Sequence, residues 1–188
     1  GLNFKLTTDI SSTSRISRPS SFSGNFNGGG HTITVKQSDI VSNSTCGLFP
    51  SISFATIDSL NIVTNGSISA NVQNYAAILC TEATNSTISN CMVTISSNFS
   101  GPNGAVVCAV PENSSIINCS TNGSGIVTLG SEYSGGIVCY SKNSKISNCT
   151  NNVNVRPNSC VTAAGGIVAS GYSLILENCT NNADIINT

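Results

Sequence analysis

Nine cysteines are the residues of this 188-residue chain with the clearest potential for chemistry. Thiols form disulfides or bind metals, and zinc sites need CxxC or Cys/His pairs. The chain has no CxxC pair and one histidine, His31, so zinc binding is disfavoured and no cofactor is predicted. Because Asn, Ser and Thr make up 75 of the 188 residues, we expect disulfides or buried thiols in an extracellular, oxidising compartment.

The acidic residues do not form a catalytic pattern. Hydrolysis of a polysaccharide needs two carboxylates at one bond, and lyase chemistry needs an acidic calcium cluster beside a base. No two of the eight acidic residues lie within two positions of each other, and His31 follows a glycine run where a turn role is expected. We therefore predict that the chain is not an enzyme, with a polysaccharide-acting enzyme as the least favoured alternative.

Charge and hydropathy exclude two further classes of partner. Charged residues make up 8% of the chain and the net charge is −1, so no basic surface for nucleic acid is expected. No apolar run approaches the roughly 18 residues of a membrane-spanning helix, so no membrane span is expected. The tyrosines are scattered in the sequence and predict no aromatic sugar-binding groove; they are Tyr75, Tyr133, Tyr140 and Tyr172.

The elements that position these residues repeat with a period of about 30 residues. A small residue followed by two apolar residues begins at Gly47, Ala77, Ala105, Gly136 and Gly166. A second column contains Leu60, Cys91, Cys119, Cys149 and Cys179, and a third contains Ile57, Ile88, Ile116, Ile146 and Leu176. Several columns that share one period indicate a repeat protein.

The local pattern identifies the type of repeat. Short β-rich segments, such as 135–140 and 145–149, alternate with clusters of Asn, Ser and Gly that favour turns. No window has the apolar spacing of an amphipathic helix. Three short strands and three turns in about 30 residues correspond to one coil of a parallel β-helix, in which equivalent residues stack about 4.8 Å apart. We predict an all-β solenoid of five to six coils with no required helix.

The spacing of the cysteines leaves three bonding schemes open. The separation between the two cysteines of one coil is nearly constant, which predicts the crosslinks Cys80–Cys91, Cys108–Cys119 and Cys139–Cys149. A ladder of free thiols and bridges between stacked neighbours are the alternatives, because the coil rise matches the Cα separation of a disulfide. In the first scheme Cys46, Cys160 and Cys179 have no partner, and a crosslink between chains is open to them.

Asparagines precede the cysteine column and also begin glycosylation sequons. Asn90, Asn118, Asn148 and Asn178 are expected to stack their amides at a turn, with the side chains directed inward and inaccessible to glycans. In a eukaryotic host, N-linked glycans are expected at the loop sequons Asn43, Asn65, Asn85, Asn98, Asn113 and Asn122.

The repeat resembles a known family. GGIV at 135–138, KISNC at 145–149 and TNNVNV at 150–155 are similar to the GLUG-type repeat of surface proteins. FKLTTDI at 4–10 and FSGNFNGGGHTI at 22–33 resemble the first part of the same architecture, so the resemblance covers about residues 2–187. It implies a right-handed β-helix, similar in shape to the pectin-lyase-like proteins, and a secreted or surface location.

These observations predict one continuous domain. Residues 1–45 are expected to form an N-terminal capping segment and first coil, and residues 46–188 five β-helix repeats. The predicted function is an extracellular structural protein, the subunit of a surface filament or coat that associates head to tail through its open coil ends. An adhesin module that binds host or cell-surface ligands is the alternative.

Overall fold

The computed structural model describes residues 2–11, 15–130, 132–158 and 162–186. These residues form a parallel β-solenoid of about 5 turns with about 30 residues per turn, which confirms the predicted fold. Each complete coil contains five short strands, two more than the sequence pattern indicated. The two additional strands lie on the side of the coil that the pattern assigned to turns. All pairs between these strands are parallel, so each strand bonds to its equivalents in the coils on either side.

Five sheets, numbered here in the order in which a coil crosses them, run along the solenoid. Sheet 1 has seven strands: Leu2–Lys5, Gly24–Asn27, Thr56–Asp58, Thr87–Ser89, Ser115–Ile117, Lys145–Ser147 and Ile175–Glu177. Sheet 2 has seven strands: Ile10–Ser11, Thr32–Val35, Asn61–Thr64, Met92–Thr94, Ser120–Asn122, Thr150–Asn151 and Thr180–Asn181.

The remaining three sheets complete each coil. Sheet 3 contains Ile68–Ser69, Phe99–Gly101, Ile126–Leu129 and Asn154–Val155. Sheet 4 contains Tyr75–Ala76, Asn103–Ala105, Tyr133–Gly135 and Ala163–Gly165. Sheet 5 contains Phe49–Ser53, Cys80–Thr84, Cys108–Glu112, Val138–Lys142 and Val168–Tyr172.

The core is built from columns of equivalent side chains. In sheet 1 the central residue of each strand faces inward, and the register stacks Phe4, Phe26, Ile57, Ile88, Ile116, Ile146 and Leu176. The residues from Ile57 to Ile146 are fully buried, whereas Leu176 in the last coil is half exposed. Burial of each such side chain contributes about 1.5–3 kcal/mol, so these columns supply much of the driving force for folding.

Two left-handed bends in each coil close the solenoid. At the first bend, between sheets 5 and 1, positive φ angles occur at Phe54, Asn85, Asn113, Asn143 and Ser173. At the second bend, between sheets 1 and 2, they occur at Ser59, Asn90, Asn118, Asn148 and Asn178. Asparagine is one of the few residues besides glycine that enters this conformation readily, which explains its recurrence.

The residue after each bend turns inward and is usually small. Ser86, Ser114 and Ser144 form a buried ladder after the first bend. The hydroxyl oxygen of Ser114 accepts a hydrogen bond from the Ser86 amide (3.0 Å), and that of Ser144 accepts one from the Ser114 amide (3.0 Å). After the second bend the equivalent residues are Leu60 followed by cysteines, so the recurring Asn-Cys pair is a bend residue followed by a core residue.

Coil length varies on one side only. The path from sheet 4 through sheets 5 and 1 to sheet 2 has the same length in three successive coils, 76–93, 104–121 and 134–151. The path from sheet 2 through sheet 3 to sheet 4 differs in length between coils: it is longest over 62–76, shortest over 93–104 and intermediate over 121–134. We call these segments the fixed half and the variable half of the coil.

Three details of the sequence prediction are wrong. A single helical turn, Gln37–Ile40, follows the sheet 2 strand Thr32–Val35, although no helix was expected. The Asp39 carboxylate stabilises this turn by accepting hydrogen bonds from the Lys36 and Ile16 amides (2.9 Å each). The first aliphatic column is misaligned, since Leu48 is level with Leu79 rather than Ile78. Likewise Val138, not Cys139, pairs with Cys108.

The inward column of sheet 1 gives a stability prediction. Ile116 is fully buried, whereas its neighbour Ile117 points to the other face and is partly exposed. Replacement Ile116→Ala is expected to lower the free energy of unfolding by about 2–5 kcal/mol, because it leaves a cavity in a packed column. Ile117→Ala is the matched control and should cost less than about 1 kcal/mol. Urea denaturation followed by circular dichroism measures both, and equal losses would contradict the assigned faces.

The second bend gives a separate prediction about backbone conformation. Asn118 has a φ of 52°, so Asn118→Gly should keep the bend, while Asn118→Val should lower the free energy of unfolding by about 1–2 kcal/mol. Asn43→Val is the control, because Asn43 is exposed and is not among the residues with positive φ. Thermal denaturation of the three variants provides the measurement. If Asn118→Val lowers the stability no more than Asn43→Val does, the bend does not require a left-handed residue.

Candidate functional site

The cysteine column is a row of stacked thiols, as the repeat predicted. Cys91, Cys119, Cys149 and Cys179 follow the second bend at equivalent positions. The Ser120, Thr150 and Thr180 amides donate hydrogen bonds to the cysteine carbonyls of the preceding coils at 2.9–3.0 Å. The side chains of this row face the main core, where each sulfur lies 3.1–3.3 Å from the carbonyl oxygen two residues earlier.

The structure does not join the predicted in-coil pairs. All eight cysteines within the described residues are free thiols, which corresponds to the ladder alternative. Cys80 and Cys108 begin sheet 5 strands, whereas Cys91 and Cys119 follow the second bend. The two partners of each predicted pair therefore lie in separate columns. Cys139 packs in a small separate cluster with Ala105 and Ala109, whereas Cys149 faces the main core. The bonds formed on oxidation stay a prediction.

Burial raises the pKa of several of these thiols and favours their protonated, unreactive form. Desolvation raises the pKa of Cys46 to about 11 and that of Cys139 to about 12. The Cys46 sulfur donates to the Ala77 carbonyl (3.1 Å) and is fully buried. Cys179 in the last coil is only partly buried, and Cys160 lies outside the described residues.

The bend asparagines face solvent, which corrects the predicted inward orientation. Asn90, Asn118, Asn148 and Asn178 are all exposed, because the left-handed residue directs its side chain away from the core. The predicted stacking of amides is present between two of them: the Asn118 amide donates to Asn90 (2.7 Å), and Asn90 donates to the Asp58 carboxylate (2.7 Å). The six predicted glycosylation asparagines are also exposed: Asn43, Asn65, Asn85, Asn98, Asn113 and Asn122.

Tyrosines that are scattered in the sequence come together on one surface. The Tyr133 and Tyr140 rings stack with centroids 5.4 Å apart, and Tyr172 meets Tyr140 edge-on at 6.4 Å. Tyr75 packs against the same small cluster, and the Lys142 ammonium lies 5.9 Å from the Tyr140 ring centroid. We call these four tyrosines the tyrosine patch.

The tyrosine patch arises from a sharp reversal between sheets 4 and 5. Only two residues separate Tyr133–Gly135 from Val138–Lys142, and a side chain on Gly135 would collide with the Val138 carbonyl. The two strands therefore lie close enough for Tyr133 to stack on Tyr140. Sequence reasoning missed this patch, although Tyr75 and Tyr133 both begin a sheet 4 strand and share one repeat position.

Charged side chains on the solenoid form small local networks. Hydrogen bonds from Ser89 (2.6 Å), Asn90 (2.7 Å) and Ser59 (2.8 Å) lower the pKa of the Asp58 carboxyl. His31 Nδ1 lies 3.2 Å from Asp9 Oδ1, next to the turn that the His31 amide closes with the Gly28 carbonyl.

Within the described residues no group of three or more His, Cys, Asp or Glu side chains is arranged to hold a metal ion. In the same residues no helix is long and apolar enough to cross a membrane.

The first and the last described strands of sheet 1 have an unpaired edge and exposed apolar side chains. At one end Leu2–Lys5 is the edge strand of sheet 1, with Leu2 69% and Phe4 48% exposed. At the other end Ile175–Glu177 is the opposite edge of the same sheet, with Ile175 52% and Leu176 50% exposed. Unpaired backbone groups beside exposed apolar side chains favour pairing with a further strand.

The thiol environments predict an order of chemical reactivity. In the reduced native protein an alkylating reagent should label Cys179 before Cys46 and Cys139, because alkylation needs an accessible thiolate. Even at pH about 9 labelling of Cys46 and Cys139 should remain slow, since pKa values of about 11 and about 12 leave only about 1% or less of either thiol as thiolate. Peptide mapping identifies the labelled residues, with the denatured protein as the control. Labelling of Cys46 or Cys139 at the rate of Cys179 would contradict this order.

Comparison with known proteins supports the architecture. No protein-family model matches the sequence, and no curated protein matches it, so membership of the GLUG family is not shown. A solved structure titled IgA1 protease is similar over 100% of this chain, with a TM-score of 0.54 and 16% sequence identity. The chain spans 19% of the length of that protein. At this level of identity the likeness shows the β-helix fold.

The comparison overturns one sequence-based prediction. The chain was predicted not to be an enzyme because its acidic residues and its single histidine form no catalytic pattern. The similar structure carries the name of a protease, so this coil architecture also occurs in an enzyme. Proteins of this fold therefore include an enzyme, and the prediction that the chain is not an enzyme is corrected on that ground.

Proposed function

We propose that this chain is an extracellular structural β-solenoid whose coils continue from one copy to the next, head to tail, in a surface filament or coat. The GLUG-like repeats, the low charge and the abundance of Asn, Ser and Thr support a secreted or surface location. Residues 1–45 would then be the capping segment and first coil, and residues 46–188 the repeats. One observation carries the proposal: the two edge strands of sheet 1 are complementary in register.

The register follows from the pairing of sheet 1. Successive pairs place Lys5 level with Asn27, Asp58, Ser89, Ile117, Ser147 and Glu177, and they place Phe4 level with Leu176. A second copy that continued this register would stack Phe4 on Leu176 and bring Lys5 beside Glu177. The contact would bury two half-exposed apolar side chains and pair opposite charges.

This contact joins different surfaces of the two copies. Such a head-to-tail contact does not close on itself, and it therefore produces filaments. Glu177 already forms an ion pair with Lys145 (2.9 Å between Oε2 and Nζ), so Lys5 of a second copy would complete a chain of alternating charges along the outer face of sheet 1.

Charge reversal tests the proposed contact. Light scattering of the purified 188-residue chain should show mass that increases with protein concentration. Lys5→Glu should weaken association at least about tenfold, because two carboxylates would then face each other. Lys5→Glu combined with Glu177→Lys should restore much of the association. Glu82→Lys, which changes an exposed charge on the side of the solenoid, is the control.

Two outcomes would reject the proposal. A monomeric mass at every concentration would show that the coil ends do not associate. Association that Lys5→Glu and Glu82→Lys affect equally would show that the contact is not at sheet 1.

An adhesin module that binds cell-surface ligands is the second candidate. The tyrosine patch favours it, because clustered tyrosine rings present apolar faces beside hydroxyl groups, a combination that is enriched at binding surfaces.

A further inference from the structure

A cavity beside the N-terminal segment contains two arginines and several hydroxyl groups. Its volume is about 420 Å³, within the range typical of small-ligand sites. It is lined on one side by residues 15–20 and on the other by the loop that follows the helical turn; the lining residues used below are Arg15, Arg18, Ser20, Ser42, Thr45 and Pro50. A neighbouring cavity of about 460 Å³ shares Arg15 and Ser42.

Arg18 is fixed in this cavity by neutral acceptors. Its guanidinium donates to the Gly47 carbonyl (2.6 Å) and to the carbonyl and hydroxyl oxygens of Thr45 (3.2 and 3.1 Å). Three of its five N–H donors are satisfied in this way, which leaves two without an acceptor among the described residues. The charge is thus held in place, partly out of water, with donors still available to a ligand.

Among the residues that the structure describes, no carboxylate forms an ion pair with either arginine of the cavity. The ion pairs among the described residues involve His31, Lys142 and Lys145, and neither arginine takes part in one. The nearby Asp39 is buried, and both of its oxygens accept backbone N–H groups. Both arginines line the cavity. Burial lowers the pKa of Arg18, Cys46 offsets part of this shift, and the like charge of Arg15 lowers the pKa further.

We propose that this cavity binds the carboxylate or sulfate group of an acidic saccharide. An anion would relieve the repulsion between two cations, and a guanidinium offers paired donors that match the oxygens of a carboxylate or sulfate. The hydroxyl groups of Ser20, Ser42 and Thr45 line the same space and suit the hydroxyl groups of a sugar ring. The cavity also has apolar walls at Ile16, Pro19 and Pro50, against which the C–H face of a ring can pack.

Titration calorimetry at low ionic strength tests the site with defined probes. The probes are glucuronate, N-acetylglucosamine 6-sulfate, neutral glucose and inorganic sulfate. The two acidic sugars should bind, glucose should not, and inorganic sulfate should bind more weakly because it reaches only the arginines. Affinity should fall as salt is added, since the attraction is between charges at a partly exposed site.

Variants separate binding from folding. Arg15 is exposed and makes none of the hydrogen bonds described above, so Arg15→Gln should leave the circular dichroism spectrum unchanged. The same change should lower the affinity for the acidic sugars at least about tenfold. Ser20→Ala should lower the affinity for the acidic sugars more than the affinity for inorganic sulfate. Lys142→Gln is the matched control and should not change binding. Lys142 lies three coils along sheet 5 from Ser53, which is in the same strand as Pro50 of the cavity.

The outcomes distinguish the site from its ligand. Absence of binding for every anion, or equal weakening by Arg15→Gln and Lys142→Gln, would overturn the site. Inorganic sulfate that binds as tightly as the sugars would overturn the assignment to a saccharide. The test does not depend on self-association, because none of the changed residues lies in the edge strands of sheet 1.

Discussion

The closed coil depends on two backbone bends that ordinary β conformation does not allow. A strand that continued with negative φ would run past the corner, and the inward columns of sheets 1 and 2 would no longer meet. At each bend one residue adopts φ near 50°, and the side chain that follows it faces inward and is buried in every coil before the last described one. A left-handed residue costs roughly 1–2 kcal/mol for most side chains and less for asparagine, so the sequence repeats asparagine at both bends.

The same constraint selects the residues that follow the bends. The inward position after a tight bend lies close to the backbone of the neighbouring coils, so small side chains with a weak donor or acceptor suit it. Serine hydroxyls hydrogen-bond the amides between successive coils at the first bend. Thiols occupy the second bend and contact carbonyl oxygens. The cysteines are thus explained by packing before any redox role is considered, as expected for a residue type that is often buried as a free thiol.

The sequence predicts the fold well because stacking places like residues on like residues. The columns of Ile88, Ile116 and Ile146 and of Cys119, Cys149 and Cys179 have the same period in the sequence and in the structure. Small errors arose where the interval changed: the residue level with Cys108 is Val138, and a misalignment of one position moves a side chain to the opposite face.

Features that depend on two separate segments could not be predicted in this way. The tyrosine patch needs the reversal at Gly135, which brings Tyr133 and Tyr140 together from one coil and Tyr172 from the next. The arginine cavity needs residues 15–20 to fold against the loop near Thr45, which lies outside the regular repeat. Residues 15–20 lie outside the repeat, and the four tyrosines occupy three different repeat positions, so no column of like residues marks either feature.

The difference between the fixed and variable halves of the coil has a consequence for evolution and engineering. Both bends lie in the fixed half, where a single added residue would rotate every following side chain out of its column. The path from sheet 2 through sheet 3 to sheet 4 already differs in length between neighbouring coils, while the pairing on either side is kept. New peptides can therefore be grafted along this flank at several heights of the rod, which makes it a natural site for sequence diversification and for display of foreign epitopes.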